Sequence, residues 1–425
     1  MKFTKQVLPN GLTLITVPSH DAESVVVDVF VKTGSRSESE KEAGISHFLE
    51  HFLFKGTKKY PTALAINEIV DGIGGDMNAF TSKESTQYYI KSHSKYLPLI
   101  FDIISDMIQE PLFDASELEK EKGVIVEEMN MYKDMPQAVA ENALDTLMWP
   151  KHALGRDIVG LKETITSFTP DMFRTYMKRH YQPSNILIGV SGKFSEKVLS
   201  KLVKERWSIL PKRRSGGWAK AIDAQSKPRV EVTYKEAEQA HLLIGFKAFA
   251  NNDLRNSAMT TLSTVLGGGM SSRLWDEIRE KRGLAYYVRC APGTFQDTGQ
   301  FYVSAGVQVQ KVEEAVQVIL SELRRMVDTP VADKELHKAK EYMKGKTTLA
   351  LEDNQVRLDW YLEQAAFKKQ MRTPQEAFDR IDKVTAADIQ KVAKEIFQSK
   401  TLSLVVVGPY KDNALQKSLE KIVKF

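Results

Sequence analysis

One cysteine, Cys290, stands among 425 residues. It excludes an intrachain disulfide and any metal site built from several thiolates, and it is compatible with a reducing compartment. Long hydrophobic runs are also missing. No stretch approaches the ~18 apolar residues of a membrane-spanning helix, and the start, "MKFTKQVLPNGLTLITVP", lacks the apolar centre of a signal peptide. The expected location is therefore the cytoplasm, with no membrane partner. The formal net charge of +5 is mild for this length, and the basic residues are scattered among acidic ones. No basic stripe marks a nucleic-acid partner. What is present is ordinary for a globular protein, with 42% apolar and 27% charged residues. The chain is too long for one core, so two domains of about 200 residues are expected.

Periodicity then places the elements. Residues 4–33 alternate apolar and polar side chains around Asn10-Gly11, as a β-meander does. "ESVVVDVFVKTGSRSE" is a strand, followed by a helix containing "GISHFLEHFLFKGT" (44–57). "TALAINEIVDGIG" and "KYLPLIFDIISDMIQEPLF" have helical period, with one or two strands between them in "DMNAFTSKESTQYYIKSH". "DASELEKEKGVIVEEMNMYKDMP" predicts a long helix with Asp114 or Ser116 as N-cap and Pro136 beyond its end. The Pro, Gly and basic residues of "LPKRRSGGWAKAIDAQSKPRV" break the pattern and predict a linker, set at 213–229.

The second half echoes the first. Gln87 corresponds to Gln300, Asp114 to Asp333 and Gly192 to Gly408, at offsets of 213, 219 and 216 residues. Three ordered matches at nearly one offset imply an internal duplication. The expected fold class is α+β, with homologous domains at 1–212 and 230–425, each a mostly antiparallel sheet with helices on one face.

Residues 44–57 set a problem in physical chemistry. His47, Glu50 and His51 lie among Ile45, Phe48, Leu49, Phe52, Leu53 and Phe54, and a buried ionisable group must be paired, neutral or metal-bound. On a helix His47 and His51 are one turn apart on one face, so both imidazoles reach one ion. Glu50 is placed to lean over a metal-activated water as general base without being a ligand. A catalytic zinc usually has three protein ligands. The 114–135 helix offers Glu121, Glu127 and Glu128; Glu121 and Glu128 share a face with Val124 and Ile125, while Glu127 points elsewhere.

The order H-x-x-E-H resembles the inverzincins, the zinc metallopeptidases of the pitrilysin and mitochondrial processing peptidase family. "LPNGLTLI" (8–15), "TGSRSE" (33–38), "GGDMNAFTSKESTQYY" (74–89) and "HALGRDIVG" (152–160) resemble the same family, so the likeness covers nearly the whole chain. Length and two-domain form suit its shorter, bacterial-type members. The resemblance implies a zinc-dependent metalloendopeptidase that hydrolyses peptides or unfolded segments in a closed chamber. Its third ligand lies 77 positions beyond the second histidine, which is Glu128 here, and a supporting glutamate seven positions earlier matches Glu121. In the repeat register these two fall on Lys346 and Ala339, which implies one zinc per chain and a second domain without metal.

That second domain has "GGGMSSRLWDEIREKRGLAYYV" (267–288) instead. No Gly-Lys-Ser/Thr follows the glycines, so it is not a phosphate loop. The resemblance assigns Arg279 and Tyr286 to substrate backbone and oxyanion, and Asn78 and Ala79 of "NAFTS" to an edge strand on which substrates add as a further strand. Acidic residues that read a basic side chain in processing peptidases are replaced here by Ala138 and Asn142, so arginine-directed cleavage is not implied. Longer relatives have four such domains in one chain, which implies a homodimer for this one. The alternative role in the family is that of a non-catalytic core or partner subunit, whose members lose part of the motif.

Overall fold

A computed structural model describes residues 2–423 apart from Arg214 and Asp223. The chain forms two compact units: Met1–Met129, Arg156–Ala219 and Leu349–Thr373 make the first, and Asn130–Gly155, Lys220–Thr348 and Pro374–Phe425 the second.

The first unit is built on a six-stranded sheet of β1 (Thr4–Val7), β2 (Thr13–Pro18), β3 (Ser24–Val31), β4 (Asp76–Thr81), β5 (Thr86–His93) and β6 (Ile186–Gly192). The strand order is β1-β2-β6-β3-β5-β4. The hairpin around Asn10-Gly11 forms as expected, but 4–33 is not a meander: β6 lies between β2 and β3, parallel to the first and antiparallel to the second. Every residue of β6, "ILIGVSG", is buried, and only an inner position gives such a strand two neighbours and two covered faces. The helices of this unit include α1 (Ile45–Phe52), α2 (Ala63–Gly72) and α3 (Leu97–Gln109). A long α4 (Ala115–Asp134) follows, and the first unit ends this stretch at Met129. Asp114 is the N-cap of α4, its Oδ1 accepting the amides of Ser116 and Glu117 at 2.8 and 3.1 Å.

The second unit repeats this plan with one strand fewer. Its strands are β7 (Arg229–Tyr234), β8 (Gln239–Ala248), β9 (Ala285–Thr294), β10 (Gly299–Gln308) and β11 (Ser403–Gly408), in the order β7-β11-β8-β10-β9. That matches β2-β6-β3-β5-β4, down to a single parallel pair in each sheet. Gln87 and Gln300 lie in β5 and β10, and Gly192 and Gly408 end β6 and β11, so the duplication read from the offsets is one of architecture.

The division at 1–212 and 230–425 differs from the units in two segments. The helix Asn354–Phe367 packs on the first sheet, where Leu358, Tyr361 and Leu362 meet Ile15, Val17, Val26, Phe30 and Leu187. The helix α5 (Pro136–Met148) packs on the second, where Ala140, Leu144 and Met148 meet Leu243, Val405 and Val407. Each half of the chain therefore lends one helix to the other's sheet. A glycine admits each helix: a Cβ on Gly189 would lie 2.8 Å from Leu358 Cδ1, and one on Gly245 would lie 2.9 Å from Met148 Sδ. Helices thus reach both faces of each sheet. Alternation along β3 sends Val26 and Phe30 to the Asn354–Phe367 helix and leaves Val25, Val27 and Val29 to the face where α3 packs.

Apart from Arg229, which opens β7, the described residues of the 213–229 linker form no helix or strand, yet the linker is held at both ends. Arg36, fully buried and paired with Glu84 at 2.6 Å, lies 3.8 Å from the centre of the Trp218 ring and donates to the Ala219 carbonyl. On the other side the Ala221 amide donates to Asp297 and Gln225 to the Leu402 carbonyl. No helix among the described residues is long and apolar enough to cross a membrane.

Asp28 is the polar exception on β3. It is fully buried and accepts from Gln355 Nε2, which also reaches Asp359. Burial, reinforced by the Asp359 charge, holds Asp28 well above the usual carboxylate range, and burial pushes Asp359 up to about 6. Both carboxyls thus hold protons more tightly folded than unfolded, where the pKa is ~3.9. The stability they confer is complete below about pH 4 and is lost as pH rises through 6 and beyond. Asp28→Asn is expected to flatten that decline and raise Tm at about pH 8 by several degrees. An unchanged slope of Tm against pH would count against this account.

Candidate metal centre

The helix α1 is seated by chain that is distant in sequence. Its N-cap, Gly44, has φ of +93°, and a Cβ there would lie 2.4 Å from the Val159 carbonyl oxygen, so only glycine fits. Glu38 caps the helix from outside it, accepting the Gly44 and Ser46 amides at 2.9 Å each. Burial pushes the Glu38 carboxyl up to about 7 against those two amides. Arg156 donates to the Glu38 carbonyl, and Lys83 donates to the Arg156 carbonyl. The stretches "TGSRSE" and "HALGRDIVG" are thus the mount of α1. Phe48 and Phe52 anchor its apolar face, with ring centres 5.0 and 5.1 Å from Phe173.

The other face carries the ionisable groups. His47 Nε2 lies 3.6 Å from Glu128 Oε1 and His51 Nε2 3.4 Å from Glu128 Oε2. One donor atom from each of the three residues falls within 4.8 Å of the others. Those separations are too long for good hydrogen bonds. They agree with the ~3.3–3.4 Å between two ligands that each sit 2.0–2.1 Å from one tetrahedral ion. Of the three glutamates considered on α4, Glu128 is the one that joins the histidines. Glu127 is exposed, and Glu121 is buried against the far nitrogen of His51 and Lys55, outside the cluster of donor atoms. Val124 is not on the inner face: it is half exposed, and Leu118, Glu121, Ile125 and Met129 are the buried positions of α4.

Glu121 accepts from His51 Nδ1 at 2.9 Å, and its second oxygen meets Lys55 Nζ at 2.6 Å. Burial opposes the charge of Glu121, but His51 and Lys55 hold its carboxyl below the usual range. Burial likewise opposes a charge on His51, but Glu121, Glu128 and Glu50 together hold the imidazole above its usual range. A site with this surplus of carboxylates draws positive charge. The His51 proton on Nδ1 turns the Nε2 lone pair toward His47 and Glu128, the arrangement of a carboxylate–histidine–metal triad. The donor set of two imidazoles and one carboxylate suits zinc.

Glu50 is half-buried next to these residues, and its Oε2 accepts from Thr81 Oγ1 at 2.5 Å. Thr81 ends β4, an edge strand that among the described residues pairs only with β5. On that strand Asn78 is exposed and Ala79 half-buried, so one backbone edge of β4 is open along these residues. Arg279 and Tyr286 belong to the second unit. Arg279 lies in a turn of π-helix (Trp275–Glu280) and donates to the Tyr286 carbonyl at 3.0 Å. Its guanidinium is 4.3 Å from the centre of the Trp275 ring and 5.5 Å from that of Tyr286. Tyr286 is 71% exposed, whereas Tyr287 turns inward to His241 with a hydroxyl bond of 3.0 Å. Ala339, the counterpart of Glu121, is buried in the second core.

Sequence reasoning missed three neighbours of the centre: Glu38, Lys55 and Thr81. Each stands in a stretch already singled out ("TGSRSE", "FKGT", "NAFTS"), but nothing local states its partner.

Residues 13–162 match the model of the insulinase family (peptidase family M16), and 167–343 match that of the peptidase M16 inactive domain. The metal-ligand candidates all lie in the first match. The chain is 33% identical over 416 residues to an uncharacterized zinc protease of Streptomyces coelicolor, covering 95% of this chain and 89% of the relative. It is 34% identical over 403 residues to one of Bacillus subtilis, covering 94% and 97%. Among solved structures, a protease from Helicobacter pylori superposes with a TM-score of 0.90 at 24% identity, covering 96% of this chain and 99% of the other. A peptidase M16 inactive domain from Pseudomonas fluorescens superposes at 0.89 with 18% identity, covering 96% and 98%. At those identities the likeness shows the fold alone.

Proposed function

The chain belongs to the insulinase family of peptidases, family M16, and we propose that it is a zinc-dependent endopeptidase acting on peptides or unfolded segments in a closed chamber. The observation that carries this reading is the convergence of His47, His51 and Glu128 with Glu50 alongside. His47 and His51 would hold zinc through ring nitrogens and Glu128 through its carboxylate. When bound, zinc supplies Lewis acidity that brings the pKa of a water to ~7 and polarises the scissile carbonyl. Glu50 takes a proton as the water oxygen attacks the carbonyl carbon, and returns a proton to the leaving amine as the C–N bond breaks. Glu121 keeps the proton of His51 on Nδ1. Asn78 and Ala79 offer the backbone edge of β4 to an extended peptide, and in a homodimer Arg279 and Tyr286 of the second copy bind substrate backbone and the developing oxyanion.

Pairing of this kind needs free backbone. Zinc-loaded protein is expected to cleave quenched peptides of roughly ten to several tens of residues and to leave a stably folded protein nearly intact over the same period. Rapid internal cleavage of the folded protein would sink the chamber. A protein that binds zinc yet cleaves no member of a mixed peptide library would instead be the non-catalytic partner subunit.

A further inference from the structure

We propose that Thr81 is a positioning residue for Glu50, tying the reactive carboxylate to the strand on which the substrate pairs. The inference rests on the reading of Glu50 as general base. A threonine hydroxyl has one proton to donate, and here it goes to Glu50 Oε2 at 2.5 Å. The bond occupies one carboxylate oxygen and leaves the other to exchange protons with substrate. Glu50 is half-buried on α1, and a glutamate side chain left without such a restraint samples several rotamers.

Thr81 is itself held firmly. It pairs with Thr86 across the hairpin, whose turn is closed by the Ser82 amide on the Ser85 carbonyl at 2.8 Å and by the Ser82 and Ser85 hydroxyls at 2.9 Å. Thr86 is pinned in turn by a bond from its hydroxyl to the Thr33 carbonyl. Along β4 the side chains of Ala79 and Thr81 fall on one face, two residues apart. The same short strand therefore offers its open backbone edge at Asn78 and Ala79 and fixes the base two residues later. A peptide that pairs with this edge has its register set relative to Glu50 by covalent geometry within β4. No local pattern in the sequence requires a hydroxyl at residue 81: valine has the same shape and an equal liking for strands.

The test compares Thr81→Val with Thr81→Ser. Thr81→Val is expected to lower kcat for a quenched peptide by about 10- to 100-fold with KM nearly unchanged, and Thr81→Ser to recover most of the loss. Zinc affinity by chelator competition and the Tm of the metal-free protein should match wild type, which separates positioning from loss of the ion or of the fold. In a Glu50→Gln background the Thr81→Val change should add nothing, because the group it positions is gone. The proposal is overturned if Thr81→Val keeps wild-type kcat, if its effect persists in full in the Glu50→Gln background, or if its loss follows lost zinc or a lowered Tm. Zinc-loaded wild type that hydrolyses no peptide would remove the peptidase reading itself, a result distinct from any of these.

Discussion

Glu50→Gln is expected to bind metal as wild type does and to lose peptide hydrolysis by ~10²-fold or more. Glutamine keeps the size of the side chain and can still bond with the Thr81 hydroxyl, but it cannot accept a proton at working pH. Glu50 is not one of the three residues whose donor atoms cluster, so its charge is not required to hold the ion in place. Metal content by mass spectrometry together with single-turnover hydrolysis checks both halves of the expectation. If the variant strips the metal while Glu128→Gln leaves it bound, the roles of the two glutamates are exchanged and the proposed mechanism is wrong.

The ligands should behave in the opposite way. His47→Ala and His51→Ala each remove one of three donors, and the protein is expected to lose tightly held zinc and with it all measurable hydrolysis. Glu128→Gln keeps a weak oxygen donor and should weaken binding rather than abolish it. Glu121→Gln retains an acceptor for His51 but loses the charge paired with Lys55, so a 10- to 100-fold fall in zinc affinity is expected, about the usual effect of altering such a partner. Isothermal titration of metal-free protein orders the four variants. An affinity for Glu121→Gln below that of His51→Ala would show that Glu121, and not His51, is the ligand.

Much of the site was legible because its spacing is local. His47 and His51 share a helical face at any fold that makes 45–52 a helix, and the seven-residue step from Glu121 to Glu128 places both on one stripe of α4. Which of the two meets the histidines was not decided by that stripe. The crossing of α1 and α4 decided it, bringing Glu128 between the two Nε2 atoms and Glu121 to the outer Nδ1 of His51. Lys55 was invisible for the same reason: a lysine in "FKGT" reads as solvated surface until the carboxylate 66 positions away is known to need a cation.

The fold divides similarly. Hydrophobic period, turn residues and a nearly constant offset determined that the chain is α+β, that it is duplicated, and where several of its strands and helices fall, since these depend on side chains within a few residues of one another. The i, i+4 spacing offered His47 and His51 to one ion, while Glu128 was chosen among the glutamates of 114–135 only by the family resemblance. The tertiary structure alone decided that β6 enters between β2 and β3, that helices Pro136–Met148 and Asn354–Phe367 cross to the other half's sheet, and that Glu38 caps the start of α1 while Thr81 bonds the Glu50 side chain. An apolar stripe states that a helix must be covered and a buried carboxylate states that it needs a donor. Neither names the surface or the donor, because burial is non-directional and the partners are set by the packing of segments far apart in the chain.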